Sequence, residues 1–241
     1  MAYAEHKSCN TPKDSQQIWR YMDFAKFVSM LEDGTLFFSN LAQLDDPLEG
    51  YPTKRTIEQF NNRVSHKQVP GVGDMNRSIK DSIKKFRKHT YVSCWCMNDY
   101  ESPAMWKVYS KNGEGVAIQS TVGRLKKSLE QAKINFRIDD FFIGEVKYLD
   151  EKDEGPMDGT ISLATHKRKS FEHEKEVRVI ILDKRNTKGV CLSVDIDILI
   201  EKVFVSPSYK KWEYNLLKKL ITRYGLNKEV LKSTLEQTPP F

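Results

Sequence analysis

The stretch Ile18-Trp19-Arg20-Tyr21-Met22-Asp23-Phe24, continued through Leu31, Asp33-Gly34 and Thr35-Leu36-Phe37-Phe38-Ser39, decides the fold class. Ile18–Met22 is dense in aromatic and β-branched residues and reads as a strand. Asp23 is a helix cap, and Phe24, Phe27, Val28 and Leu31 follow the i, i+3, i+4, i+7 spacing of one helical face. Asp33-Gly34 ends that helix, and Thr35–Ser39 is a second aromatic-rich strand. A strand, a short helix and a strand thus open the ordered part of the chain.

Downstream, strands are read at Thr90–Met97, Gly115–Ser120, Phe141–Leu149, Glu176–Leu182, Val190–Val194 and Ile200–Val205. Helices lie irregularly between them. One starts at Pro103, in an N1-like position, and another covers Gly123–Lys133. Thr165–Glu174 is a helix or ordered loop. A last helix, 209–224, is capped by Ser206 or Ser208, turns Trp212, Leu216, Leu220, Ile221 and Tyr224 inward, and ends at Gly225. No regular strand–helix–strand beat emerges, which favours an α+β fold with a mixed or mainly antiparallel central sheet over a doubly wound one. Residues 1–15 are polar and read as a flexible arm, and 16–241 as one α+β domain. Residues 54–90 form a helical insert, with helices at Thr56–Val64 and Arg77–His89 around a break at Val69–Gly73.

The chain has 241 residues, enough to bury a core without covalent staples. Hydrophobic residues are 39% and charged residues 30%, which excludes a disordered or fibrous chain. The apolar runs are too short to span a bilayer, and Met1–Asn10 has no apolar leader core, so a cytoplasmic protein without a membrane partner is expected. Net charge is +6, which permits a nucleic-acid partner without requiring one. Cys9, Cys94, Cys96 and Cys191 are too scattered for a disulfide framework and should be reduced thiols, and no metal site is expected. Trp95, Met105, Trp106 and Tyr109 are read as packing residues.

Phosphate-binding glycine loops, nucleophile elbows and paired zinc histidines are absent from the sequence. Four clusters are candidates for chemistry. Arg20, beside Trp19 and Tyr21, has the fork that pairs with phosphate or carboxylate. Asp45-Asp46-Pro47-Leu48-Glu49, after Ser39-Asn40, is either a turn or a carboxylate loop for a cation or a ribose. Phe171-Glu172-His173-Glu174-Lys175-Glu176-Val177-Arg178 puts Glu174, Glu176 and Arg178 on one face if the strand begins near Glu174. A carboxylate pair there can bind ribose hydroxyls and stabilise an oxocarbenium-like transition state. Lys80, Lys84, Lys85, Arg87 and Lys88 form a basic helix face that is either solvated or a phosphate-backbone contact.

Several of these segments, in order, resemble a bacterial family of unknown function numbered 2971. They are Leu44–Glu49, Val92–Cys96 with Ala104–Tyr109, Gly115–Ile118, and Lys169–Arg178. Asp45 stands where that family usually has asparagine. A second resemblance is to ADP-ribosyltransferases, including DNA-modifying members of toxin and phage-defence systems. It rests on the opening strand–helix–strand and on Glu174-x-Glu176 at a strand start. That resemblance implies an ADP-ribosyltransferase-like sheet and NAD as a substrate. Arg20 would hold an NAD phosphate, Ser39 would support the nicotinamide end, and Tyr21 or Phe38 would stack on the ring. Glu176 would bind the ribose and stabilise the cationic transition state, while Glu174 would select or activate the acceptor. The acceptor would be a nucleic acid or a protein, with a cognate antitoxin or defence-system partner. The alternatives are a metal-dependent nuclease using Asp45, Asp46, Glu49, Glu174, Glu176 and Lys175, and a non-catalytic binding or regulatory protein.

Overall fold

A computed structural model describes residues 1–66, 72–110, 113–131, 138–156 and 160–236. Parts of three expected features, the break at Val69–Gly73, the end of the helix at Lys133 and the last residues of the 16–241 domain, lie outside them. In chain order the first elements are β1 (Ala2–Tyr3), β2 (Gln17–Asp23), α1 (Phe24–Asp33), β3 (Thr35–Asn40), α2 (Lys54–His66), α3 (Val72–His89) and β4 (Thr90–Met97). Then come α4 (Pro103–Tyr109), β5 (Gly115–Thr121), α5 (Val122–Glu130), β6 (Asp140–Glu145), β7 (Lys147–Leu149), α6 (Thr160–Ala164) and β8 (His166–Arg168). The chain closes with β9 (Glu176–Leu182), β10 (Gly189–Ser193), α7 (Ile196–Leu199), β11 (Lys202–Val205), α8 (Lys211–Arg223) and β12 (Glu229–Lys232).

The fold is α+β. The main sheet runs β1-β6-β9-β4-β2-β5-β11-β12, and β3, paired with β10, also joins β4. Its β1–β6 and β11–β12 pairs are parallel and the rest antiparallel. The opening strand–helix–strand forms as read. The Asp23 carboxylate accepts from Lys26 N–H at 2.8 Å, and Gly34 closes α1 in the left-handed conformation (φ +59°), which glycine adopts without steric cost.

β4 is where the sheet splits. At one end, Cys96 and Met97 pair with Trp19 and Ile18 of β2; at the other, Tyr91 and Val92 pair with Asn40 and Ser39 of β3. Between them the edge formed by Ser93–Trp95 faces an opening where β2 and β3 part.

Helices cover both faces. On one face α1, α5 and α8 supply Phe27, Leu31, Leu125, Leu129, Leu217 and Ile221 to a core that includes Ile18, Phe38, Trp95, Val177 and Val179. The other face carries two smaller clusters. Met105 and Trp106 of α4 cover Trp19, Tyr21, Cys96 and Ala117. Phe86 of α3, with Ile161, Leu163 and Ala164 of α6, covers Val92 and Ile180. The alternation along β9, with Val177, Val179 and Ile181 on one side and Glu176, Arg178 and Ile180 on the other, sets the two faces apart.

Five sequence expectations change. Residues 1–15 lie against the sheet: β1 pairs with β6, and Thr11 Oγ1 donates to Ile143 O at 2.6 Å. The strand read at Phe141–Leu149 is two strands, broken at Val146, whose N–H turns to Glu176 O. The segment before β9 is a helix, a short strand and a 3₁₀ turn, Lys169–Glu174. Ile200–Val205 shortens to β11 because Asp195 caps the short helix Ile196–Leu199 ahead of it. The last helix starts after Lys210, whose N–H donates to Glu213, and not at a serine cap. Its inner residues are Leu217 and Ile221, whereas Trp212, Leu216 and Tyr224 are exposed.

Candidate active site

A cleft of about 430 Å³ opens at the split. Residues from β2 (Arg20, Tyr21), β3 (Phe37, Ser39), β4 (Cys94, Trp95, Cys96) and α4 (Tyr109) line it, together with Glu174 and Glu176. Elements distant in sequence thus meet because β4 exchanges one neighbour for another along its length.

Arg20 bridges the split. Its Nη1 donates to Ser93 Oγ and, at 3.3 Å, to Cys94 O; its Nη2 donates to Phe37 O at 3.1 Å. These bonds replace part of the ladder that β2 and β3 cannot both make with β4. They use three of the five N–H groups a guanidinium offers. The guanidinium also lies 5.7 Å from the centre of the Trp95 ring.

Glu176 begins β9, opposite Cys96. Glu174 is not on the strand, contrary to the sequence-based expectation. It ends the 3₁₀ turn, and Lys175 between them takes a left-handed conformation (φ +43°). A non-glycine residue there costs on the order of 1–3 kcal/mol and persists only where its surroundings require it. Here Met97 N–H donates to Lys175 O at 2.7 Å, and Glu176 N–H donates to the Tyr148 hydroxyl at 2.7 Å. The kink lets both carboxylates reach one ammonium. Lys167 Nζ lies 2.5 Å from Glu174 Oε2 and 2.7 Å from Glu176 Oε1.

Behind this pair, Arg178 is fully buried. Its Nε donates to Glu176 Oε2 at 2.6 Å and its Nη1 to Ala164 O at 2.9 Å. Its Nη2 is 2.7 Å from Glu49 Oε1, in ionic rather than well-aligned hydrogen-bond geometry. Of the two readings of the Asp45–Glu49 loop, a turn or a carboxylate site for a cation or ribose, the second gives way to structural use of its buried acids. Glu49 holds Arg178, and Asp46 takes both arms of Arg168 at 2.9 and 3.0 Å. Asp45 is exposed. Among the described residues, no three His, Cys, Asp or Glu side chains form a group suited to a metal ion.

The cluster contains three carboxyls, Glu49, Glu174 and Glu176, and two cations, Lys167 and Arg178. Burial opposes ionisation of Glu176, yet Arg178, a hydrogen bond from Glu174, and Lys167 together hold it well below the usual carboxylate range. Burial pushes Glu174 up, and its bond to the ionised Glu176 and that group's charge push it further, to about 8, with Lys167 opposing. Two carboxyls of opposite disposition stand side by side, the arrangement that separates an electrostatic role from a proton-carrying one. Cys94 is not a nucleophile of this site: burial raises its thiol to about 12.

Arg20, Tyr21, Ser39, Glu174 and Glu176 thus share one cleft, but two ring-stacking expectations change. Phe38 is a core residue, because the alternation along β3 turns Leu36 and Phe38 inward and Phe37 out. Tyr21 reaches the cleft wall, but its ring packs edge-on against Trp106 and its hydroxyl accepts from Ser102 N–H at 2.9 Å. The accessible rings are Phe37, 48% exposed, and Tyr109, 38% exposed and not the packing residue its spacing suggests. Lys80, Lys84, Lys85 and Lys88 are exposed on α3. Arg87 differs from them: it is half-buried, over the Tyr51 ring at 4.3 Å, and belongs to the packing of the insert. Lys167 escapes a reading of the sequence, since the short strand that carries it has no periodicity to announce it.

Residues 105–179 match a family described as a protein of unknown function, DUF2971. Among solved structures the chain is similar to DarT of Thermus sp. 2.9 in complex with NAD+, at 9% identity and a TM-score of 0.43, over 95% of this chain and 100% of that one. It is also similar to the same protein in complex with ADP-ribosylated single-stranded DNA, at 12% identity and a TM-score of 0.42, over 95% and 98% of the two chains. No curated protein matches the sequence.

Proposed function

We propose that the protein is an ADP-ribosyltransferase that consumes NAD and modifies a nucleic acid or a protein, in the manner of a toxin or phage-defence effector. One observation carries the reading: a cation-held Glu176 and a proton-bearing Glu174 sit side by side on a cleft that also contains Arg20, Ser39 and two accessible aromatic rings.

Breaking the bond between nicotinamide and ribose leaves positive charge on the anomeric carbon and takes the bonding electrons to nicotinamide. With Glu174 protonated, the three carboxyls and two cations of the cluster balance. Once Glu174 is ionised, one negative charge is in excess beside the cleft, and it stabilises the developing cation. Glu176 is fixed in place by its cations, and Glu174 accepts the proton of the attacking acceptor group. The two N–H groups of Arg20 beyond its three framework bonds suit a phosphate oxygen. The four exposed lysines of α3 favour nucleic acid over protein as acceptor.

Labelled NAD incubated with single-stranded DNA, RNA or a nuclease-treated lysate tests this. The wild-type protein should release nicotinamide and label the nucleic-acid fraction, and Glu176→Gln should do neither. NAD should also raise the melting temperature with or without EDTA. Absence of both NAD binding and NAD consumption would remove the proposal.

A further inference from the structure

Lys167 is the group that touches both glutamates, and it reaches them from behind. Its ammonium bonds to Glu174 and Glu176 at 2.5 and 2.7 Å and lies 3.9 Å from Glu49 Oε2. Its side chain is only 10% exposed, and Phe171 lies 4.6 Å from the ammonium. Two cavities meet at this point. Glu174 and Glu176 line the cleft, whereas Lys167 lines a second cavity of about 230 Å³, with Tyr51, Ile57, Leu149 and Arg168. A molecule lying in the cleft therefore meets the carboxylates, and the lysine acts through them.

While Glu174 keeps its proton it is hydrogen-bonded to Glu176, but once it ionises the two carboxylates repel each other and would turn apart without a shared cation. Arg178 does not fill that place, since it engages Glu176, Glu49 and Ala164. The other groups facing the pair, among the described residues, include Tyr148 from β7, Cys94 and Cys96 from β4, and Tyr109 from α4, none of them cationic. Among the described residues, Lys167 is the cation that spans both acids.

We infer that Lys167 is a positioning residue that fixes the Glu174 and Glu176 carboxylates relative to each other across the wall between the two cavities. Its kinetic consequence rests on the transferase reading; its structural consequence does not.

Lys167→Met removes the charge and keeps the length, Lys167→Gln keeps a donor, and Lys167→Arg keeps the charge. In Lys167→Met, kcat for NAD cleavage should fall about 100-fold, the scale of a displaced reacting group, while KM for NAD stays near wild type. The rising limb of kcat against pH should move to higher pH, because ionising Glu174 without its cation is harder. Lys167→Arg should recover most of the rate. Carboxyl-¹³C NMR titration of the same proteins needs no activity, and Glu174 should titrate higher in Lys167→Met than in wild type. If wild type consumes no NAD, the transferase reading falls and the titration decides the role of Lys167. If Lys167→Met does not fold, Lys167→Gln takes its place in both measurements. A folded neutral variant whose Glu174 titrates as in wild type overturns the inference, as does one with unchanged kcat and pH profile.

Discussion

Glu49 and Arg178 form an ion pair at 2.7 Å in which neither side chain is more than 1% exposed, and it ties the loop after β3 to the middle of β9. Removing one member leaves the other charged and without that partner in the interior, which typically costs about 3–5 kcal/mol, whereas replacing a whole pair by apolar groups of similar size is often neutral. Glu49→Leu should therefore lower the unfolding free energy in urea by that amount. Arg178 is also bonded to Glu176, so the double change Glu49→Leu/Arg178→Met should recover only part of the loss. Additive losses would show that the two side chains do not interact.

Stability should fall as pH rises from the ordinary glutamate value, 4.5, toward 8. Glu174 has its pKa raised in the folded protein, to about 8, so between these limits the native state holds a proton that the unfolded chain has released. That contribution is complete below 4.5 and lost as pH passes the folded value. Glu176 is shifted the other way: its contribution is present above 4.5 and lost as pH falls below it. The two together place a stability maximum near 4.5. Glu174→Gln cannot titrate, so it should flatten the decline on the alkaline side. Melting temperatures of both proteins from about pH 4 to 9, a range that spans the alkaline limb, check this.

Glu176→Gln should reduce NAD consumption by about 10²–10³-fold, the usual effect of removing one electrostatic partner of a developing charge. The protein should still fold, because Arg178 keeps Glu49 and the Ala164 carbonyl as partners. Full activity in a folded Glu176→Gln protein would make the glutamate structural.

Much of the frame was legible, because periodicity and capping report it directly. β4 and β9 lie where the sequence puts them, and Asp23, Gly34 and Pro103 act as cap, stop and N1 residue. Glu174-x-Glu176-x-Arg178 announced a charged cluster. Its partners did not announce themselves, because pairing across the sheet depends on register. Nothing in Asp45–Glu49 says that Asp46 will meet Arg168 or that Glu49 will meet Arg178. The left-handed Lys175 is a tertiary effect in a residue with no preference for it. Phe37 was recoverable, since the alternation that buries Leu36 and Phe38 turns it outward. The inner face of α8 was misplaced because Trp212 and Leu216 share the helical spacing of Leu220 but lie on the exposed side.

Arg20→Met should loosen the split sheet as well as alter the cleft. Its three framework bonds join β2 to Ser93, Cys94 and Phe37, and a hydrogen bond to a charged group contributes about 1.5–3 kcal/mol net. A melting temperature lowered by several degrees is expected, with faster amide exchange across Phe37–Ser39. Arg20→Lys should restore part of the stability, since an ammonium has donors but lacks the planar fork. If Arg20→Met melts like wild type, the bridging role is wrong.

The basic face of α3 offers a test that does not depend on catalysis. Lys80, Lys84, Lys85 and Lys88 are exposed, so any phosphate they engage must be held electrostatically and salt-sensitively. For single-stranded nucleic acid, the slope of log K against log salt becomes shallower by about 0.7 for each phosphate no longer neutralised. Changing the four lysines to glutamine should weaken binding of a single-stranded oligonucleotide at low salt and flatten that slope, with little dependence on base sequence. Arg87→Gln should behave differently. Its guanidinium lies on the Tyr51 ring and its side chain is half-buried, so the variant should lose stability while the salt slope stays close to wild type. Fluorescence anisotropy titrations at several salt concentrations, alongside melting curves, separate the two effects. Equal slopes for wild type and the four-lysine variant would leave this helix face a solvated surface with no part in nucleic-acid binding.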